Sequence, residues 1–291
     1  MMGWPMAGLL AKAGYRLWVS DADERRTALF AAEFSALAVE LDGPEFPRLD
    51  VVITMLPSSA VVEDVVLGVD GRAGLLSRLA PGTMLIDMSS SEPTRSRALA
   101  QRLAAVGVKF VDAPVSGGVK RAVEGTLAIM AGGDAEAFAA CEAILQVMGE
   151  KVFHVGGPGC GHAVKALNNY VSASGLVAVV DAMLVGQRFG LDPATVIQVL
   201  NASSGRNNAT QNKASQFMLN GKFDSGFALQ LMVKDLRIAS QLADDMGYPM
   251  PMGKECLALW AGAAAALDRV ADHTEMYRLL DPKWLAQTPK E

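Results

Sequence analysis

The sequence predicts an α/β domain followed by an all-helical one, on three observations. Up to residue 156, apolar β-branched runs alternate with amphipathic stretches; from 157 to 291 no convincing strand recurs; and there apolar residues repeat at helical spacing. Continuous apolar strands separated by helices are the pattern of a mostly parallel sheet covered on both faces.

In chain order, Tyr15 to Asp21 is a short apolar run ending on an acid, and Glu24 to Ala38 is an amphipathic stretch. Asp50 to Leu56 (DVVITML) reads as a strand closed by Pro57, and Ser59 to Leu67 as a helix. Thr83 to Met88 is the next strand, followed by a helix over Glu92 to Val106 with Pro93 in its first turn. Val108 to Val115, Leu127 to Gly132 and Val152 to Val155 complete the strands. Beyond them, Gly161 to Gly190 reads as one long helix in which Leu167, Val171, Ser174, Ala178 and Met183 share a buried stripe. Leu191-Asp192-Pro193 restarts a helix, and Phe227 to Met246 and Met252 to Leu267 read as two more. Gly175, Ala178 and Gly186 would let other helices approach closely, which suits a dimer interface.

The 291 residues are 51% hydrophobic and 20% charged, the balance of a globular protein with a substantial core. A net charge of -5 argues against nucleic acid as a partner. Cys141, Cys160 and Cys256 lack metal-ligand spacing and read as reduced thiols, which with the lack of a signal-peptide pattern points to the cytoplasm. No span is expected to reach the roughly 18 apolar residues that a membrane helix needs.

Four segments carry chemistry. Met2-Gly3-Trp4-Pro5-Met6-Ala7, leading into a helix and then a strand that ends at Asp21, is the second half of a dinucleotide-binding turn. Asp21 is placed to accept hydrogen bonds from ribose hydroxyls and to repel a 2′-phosphate, favouring NAD over NADP; a helix cap is its competing role, one that Asp23 supplies equally well. In Asp112-Ala113-Pro114-Val115-Ser116-Gly117-Gly118, two glycines after a strand leave backbone N–H groups for an anion, although Gly-Gly also makes an ordinary tight turn.

The third segment is a glycine turn over residues 156–161, followed by Lys165 and Asn169 on one helical face. A partly buried lysine has a lowered pKa and suits proton exchange near neutral pH. The competing reading is a lysine that lies along the surface beside a capping amide pair. The fourth is Lys234-Asp235-Leu236, where Lys234 either offers a positive group to a cofactor or pairs with Asp235 or Asp245 at the surface. His154, His162 and His273 share no spacing, so none reads as a ligand or base, and no metal is called for.

These motifs, in this order, resemble the β-hydroxyacid dehydrogenase family, of the 3-hydroxyisobutyrate and tartronate semialdehyde type, from Gly3 to the last helix. The resemblance implies a doubly wound Rossmann-type domain followed by the helical domain. It implies Lys165 as catalytic acid/base, with Ser116, Gly117, Gly118 and Asn169 holding the substrate carboxylate. Gly3, Leu56, Pro57, Ser90 and Lys234 would line an NAD site, with Asp21 disfavouring NADP. The implied substrate is a small β-hydroxy acid and the implied assembly a homodimer or homotetramer. Imine reductases on this architecture usually replace the lysine, so Lys165 argues against that branch; an imine or other carbonyl reductase on the same scaffold is a third reading, which a substrate panel would separate.

Family members begin with a strand and Gly-x-Gly before the Met-Gly seen here as Met2-Gly3. That strand lies at the centre of the sheet, and its neighbours would lose ladder partners without it. The expectation is a start at an internal methionine, with the full protein about 8 to 12 residues longer. A non-catalytic scaffold that has lost cofactor binding is the contrasting reading. Substrate choice is expected to lie in loops such as residues 203–208, where Arg206 either meets a second anionic group or is simply solvated.

Overall fold

The computed structural model describes residues 2–41, 43, 48–69, 71–268 and 270–281. Two compact units divide the chain, Met1–Lys165 and Ala166–Glu291. In the first, the order is α1 (Gly3–Lys12), β1 (Trp18–Val19), α2 (Glu24–Phe34), β2 (Leu37–Ala38), β3 (Val51–Thr54), α3 (Ser59–Leu67), β4 (Gly68–Val69) and β5 (Arg72–Ala73). It continues with β6 (Met84–Asp87), α4 (Pro93–Ala104), β7 (Lys109–Asp112), β8 (Val115–Ser116), α5 (Gly118–Glu124), β9 (Leu127–Gly132), α6 (Ala135–Met148) and β10 (Gly149–Gly156). The long helix α7 (Cys160–Phe189) begins here, and the division falls within it.

The main sheet has the order β10-β9-β7-β6-β3, with β8 paired to β9. β3, β6 and β7 run parallel, Val51 beside Met84 and Met84 beside Lys109, and β9 and β10 are parallel to each other. β7 meets β9 antiparallel through Asp112 and Gly132. Alternation along the central strands sorts side chains to two faces. Ile86, Val111 and Ile129 pack with Met6 and Leu10 of α1 and Cys141 and Leu145 of α6. Leu85 and Phe110 pack on the other side with Val62 and Val66 of α3 and Leu99 and Leu103 of α4. Both faces are thus covered, as a doubly wound α/β domain requires.

β1 and β2 form a separate parallel pair, Trp18 beside Leu37 and Val19 beside Ala38, while β3 ends the larger sheet. The single amphipathic stretch expected from Glu24 to Ala38 is corrected here. Ser35 adopts a left-handed conformation (φ 53°) that ends α2, and Leu37–Ala38 pairs as strand β2 instead. Sequence reading also passed over α5 and α6; Asp134 caps α6 by accepting the Ala137 N–H at 2.8 Å.

The second unit continues α7 and adds α8 (Pro193–Ala202), α9 (Asn208–Asn212), α10 (Leu229–Asp245), α11 (Pro251–Ala266) and α12 (Met276–Leu280). Its core joins Ala173, Leu176, Val180 and Met183 of α7 to Ile197, Met232, Leu236 and the fully buried Trp260. The expected stripe was therefore misplaced: Met183 is buried, but Leu167, Val171 (67% exposed) and Ala178 face outward. A helix apolar nearly all round offers two stripes of equal periodicity, and only the packed neighbours choose between them.

The expectation of no membrane-length span also needs correction. α7 is long and apolar enough to cross a membrane by length and composition, yet 44% of its most apolar 18-residue window is buried, and its buried side is core. Among the described residues, the second unit has no strand beyond an isolated bridge between Ala228 and Asp272.

Candidate active site

Central strands β6 and β7 both end in buried acids, Asp87 and Asp112, and each organises the loops beyond it. Asp87 Oδ1 accepts the Thr54 hydroxyl at 2.9 Å and the Ser89 N–H at 3.0 Å, and its Oδ2 accepts the Ser91 hydroxyl at 3.0 Å. Ser89 Oγ in turn accepts the Leu56 N–H at 2.9 Å. These bonds fasten the loop holding Leu56 and Pro57 to the loop holding Ser90.

Asp112 captures the start of α7. Its Oδ1 accepts the Gly159 N–H at 2.7 Å and its Oδ2 the His162 N–H at 2.8 Å. The approach is possible only for glycine: a Cβ on Gly161 would lie 2.3 Å from the Met130 carbonyl oxygen, and one on Gly132 would lie 2.6 Å from Asp112 Oδ1. Burial pushes the Asp112 carboxyl up to about 6, against the opposing pull of His162 and the two N–H donors.

His162, which sequence reading set aside, sits at the centre of this cluster. Its Nδ1 is 2.8 Å from Ser96 Oγ and its Nε2 is 3.2 Å from the Ser89 carbonyl oxygen. The overlooked signal was its place on α7, one turn before Lys165 on the same face. Lys165 is half-buried, on a helix start held from below by Asp112 and His162.

Asn169, one further turn along, belongs to the second unit and is buried. Its Nδ2 donates to Asp235 Oδ2 at 2.5 Å and its Oδ1 accepts from Asn168 at 3.1 Å. Asp235, treated in the sequence as a surface ion partner, is buried and orients this amide. Lys234 does lie 3.8 Å from Asp235, but the carboxylate that it meets is in the core. The structure thus gathers Leu56, Ser89 and the base of Lys165 on one cluster, and Asn169 with Lys234 on Asp235.

Ser116 closes β8, and Gly117 (φ 139°) and Gly118 (φ 68°) form an exposed turn in backbone that other residues rarely adopt. Gly3 opens α1, where no side chain caps the first turn, and a Cβ added there would pack against the Met55 side chain at 3.7 Å. Asp23 takes the cap of α2, accepting the Arg25 N–H at 3.1 Å. Asp21 is left exposed just past β1, where it accepts the Asp23 N–H at 3.0 Å. N–H donors at an uncapped helix start and an accepting carboxylate beyond the neighbouring strand are the groups that a dinucleotide's pyrophosphate and ribose hydroxyls require, so these residues fit NAD. No cluster of three or more His, Cys, Asp or Glu suited to a metal occurs among the described residues.

A nucleotide-type α/β domain preceding a helix that carries a lysine and a buried amide defines an oxidoreductase working with a bound dinucleotide. Residues 1–156 match the model for the NAD binding domain of 6-phosphogluconate dehydrogenase. Residues 159–280 match that for NAD-binding of NADP-dependent 3-hydroxyisobutyrate dehydrogenase. The chain is 36% identical to 2-(hydroxymethyl)glutarate dehydrogenase of Eubacterium barkeri, over 91% of this chain and 86% of that protein. It is 36% identical to NAD-dependent L-serine dehydrogenase of Pseudomonas aeruginosa, over 97% and 95%. The solved Mycobacterium tuberculosis 3-hydroxyisobutyrate dehydrogenase with L-serine superposes with a TM-score of 0.85 at 30% identity, covering 96% and 95%. The chain belongs to the β-hydroxyacid dehydrogenase family: it is an NAD-linked oxidoreductase acting on the CH–OH group of a hydroxy acid. The scaffold and imine reductase readings are not favoured.

Proposed function

We propose that the chain oxidises a small β-hydroxy acid, of the size of 3-hydroxyisobutyrate or L-serine, with Lys165 as acid/base. The carrying observation is that Lys165 and Asn169 occupy successive turns of one helix whose start is clamped by Asp112. Bound NAD supplies the acceptor for the hydrogen and two electrons leaving the hydroxyl-bearing carbon. Lys165 Nζ takes the hydroxyl proton and, as an ammonium, offsets the developing alkoxide charge. Ser116, the Gly117 and Gly118 N–H groups and the Asn169 amide hold the substrate carboxylate; Asp235 keeps that amide facing one way. Gly3, Leu56, Pro57, Ser90 and Lys234 hold the cofactor, and Asp21 sets NAD above NADP.

The names of the relatives support a substrate with a hydroxyl one carbon beyond the α-position. On this reading the dinucleotide domain spans 1–156 and the substrate and dimerisation domain 157–291. A homodimer or homotetramer is supported by the outward apolar residues Leu167, Val171 and Val185 of α7, and light scattering in solution checks it. A cytoplasmic location is supported by three free cysteines.

The test is Lys165→Ala. It should lower kcat by about 10³-fold or more while calorimetry still detects NAD binding and circular dichroism is unchanged. Near-normal turnover would remove Lys165 from the mechanism.

A further inference from the structure

His162 has no task in the chemistry above, yet its wholly buried ring touches the loops that this chemistry uses. Nε2 faces the Ser89 carbonyl, which only accepts, so Nε2 carries the hydrogen and Nδ1 meets the Ser96 hydroxyl of α4. The charged groups facing the ring are Asp87 from β6, 3.8 Å from Nε2, and Asp112 from β7, 3.6 Å from Nδ1. Ser89 also accepts the Leu56 N–H. A continuous chain of bonds therefore runs from the Leu56 loop through Ser89 and His162 to the first turn of α7. A buried ring serving only as filler would not need polar partners on three separate elements.

We propose that His162 is a positioning residue for hydroxy acid oxidation, locking the first turn of α7 to the Leu56 and Ser89–Ser90 loops so that Lys165 and the cofactor-side loops hold one geometry. The inference rests on Lys165 being the acid/base. A displacement of a reacting group by about 1 Å costs about 100-fold in rate, so a lock of this kind acts on the chemical step and not on binding. Asp87 and Asp112 hold the lock from the sheet, and the glycines at 132 and 161 allow it to close.

The experiment compares His162→Ala, His162→Gln and Lys165→Ala with the parent, using NAD with L-serine and 3-hydroxyisobutyrate, each also deuterated at the hydroxyl-bearing carbon. For His162→Ala, kcat should fall about 10- to 100-fold, the deuterium isotope effect on kcat should rise, and NAD affinity should stay within about threefold. His162→Gln should recover most of the loss, because its amide offers a donor to Ser89 and an acceptor to Ser96. A folded His162→Ala with parental kcat and isotope effect would overturn the proposal. Where the alanine variant does not fold, His162→Met takes its place against His162→Gln: a slow Met and a fast Gln support the lock, and equal rates overturn it. Lys165→Ala separates the two ideas, since activity surviving there defeats the acid/base reading whatever His162 does.

Discussion

Each unit buries a carboxylate beside an imidazole, and the two clusters are wired differently. In the first, Asp112 of β7 reaches forward to the N–H of His162, and the ring reaches back to Ser96 of α4 and to Ser89 beyond β6. In the second, Asp272 and His273 are adjacent in sequence. Asp272 accepts the N–H groups of Gly226 and Thr274, both at 2.9 Å, and the Ser225 hydroxyl, drawing two loops together. His273 Nδ1 lies 3.1 Å from both Ser225 Oγ and the Phe227 carbonyl oxygen. The first cluster joins elements that only the finished sheet brings together, and it ends one turn from Lys165. The second ties the segment before α10 to the one before α12 and, among the described residues, meets none of the proposed site residues. On the proposed mechanism the same residue types support catalysis in one unit and a fold in the other, and what distinguishes them is which elements their bonds connect.

Removing each carboxylate should break the comparison most sharply. Asp112→Ala leaves two buried N–H groups unpaired and His162 without its companion; a loss of about 3–5 kcal/mol is expected, with kcat falling as well. Asp272→Ala should cost about 2–3 kcal/mol, leaving kcat per folded molecule unchanged. Urea denaturation together with active-site-normalised kinetics reads both. A fall in kcat for Asp272→Ala equal to that for Asp112→Ala would erase the distinction.

Acidity gives an intermediate effect of opposite sign in the two units. Burial raises the folded carboxyl of Asp112 from 3.8 to about 6, so the folded state binds its proton more tightly. The stability it contributes is complete below 3.8 and is lost as pH rises through about 6. Burial lowers the folded imidazole of His273 from 6.5 to about 4, so its contribution is complete above 6.5 and lost as pH falls through about 4. Between pH 4 and 6, the stability gap between the parent and Asp112→Asn should narrow as pH rises. The gap for His273→Gln should widen over the same range. Denaturation midpoints at several pH values check the two slopes.

The fold was legible wherever burial imposed periodicity. β9 was read at its observed bounds, Leu127 to Gly132, and α3 at Ser59 to Leu67, because continuous apolar runs bounded by Gly or Pro admit few alternatives. The buried face of α7 was not legible, since its composition offers two apolar stripes. Nor was β2, a two-residue strand with Leu37 51% exposed, although its partner β1 lies inside the run read as a strand ending at Asp21. Of the site, the motifs pointed to Lys165, Asn169 and the glycine turns through residue type and spacing. His162 and Asp235 escaped because their partners lie 66 to 73 residues away, and Asp87 because it meets Thr54 33 residues away, separations that no local pattern encodes.

The smallest expected effect lies outside both clusters, at Asp21. It is exposed and, among the described residues, bonded locally to the Asp23 N–H, so Asp21→Ala should change stability by less than about 0.5 kcal/mol. It should nonetheless lower the preference for NAD over NADP by about tenfold, read as the ratio of kcat/KM for the two cofactors. An unchanged ratio would place the ribose contact elsewhere.

The most direct test of the account is to follow NADH formation and acid consumption together, with 3-hydroxyisobutyrate, L-serine and 2-(hydroxymethyl)glutarate as substrates. Oxidation of a CH–OH group predicts one NADH and one carbonyl product for each acid consumed by the parent, and neither product from Lys165→Ala. NAD binding without NADH formation from any β-hydroxy acid would contradict it and return the chain to a binding role.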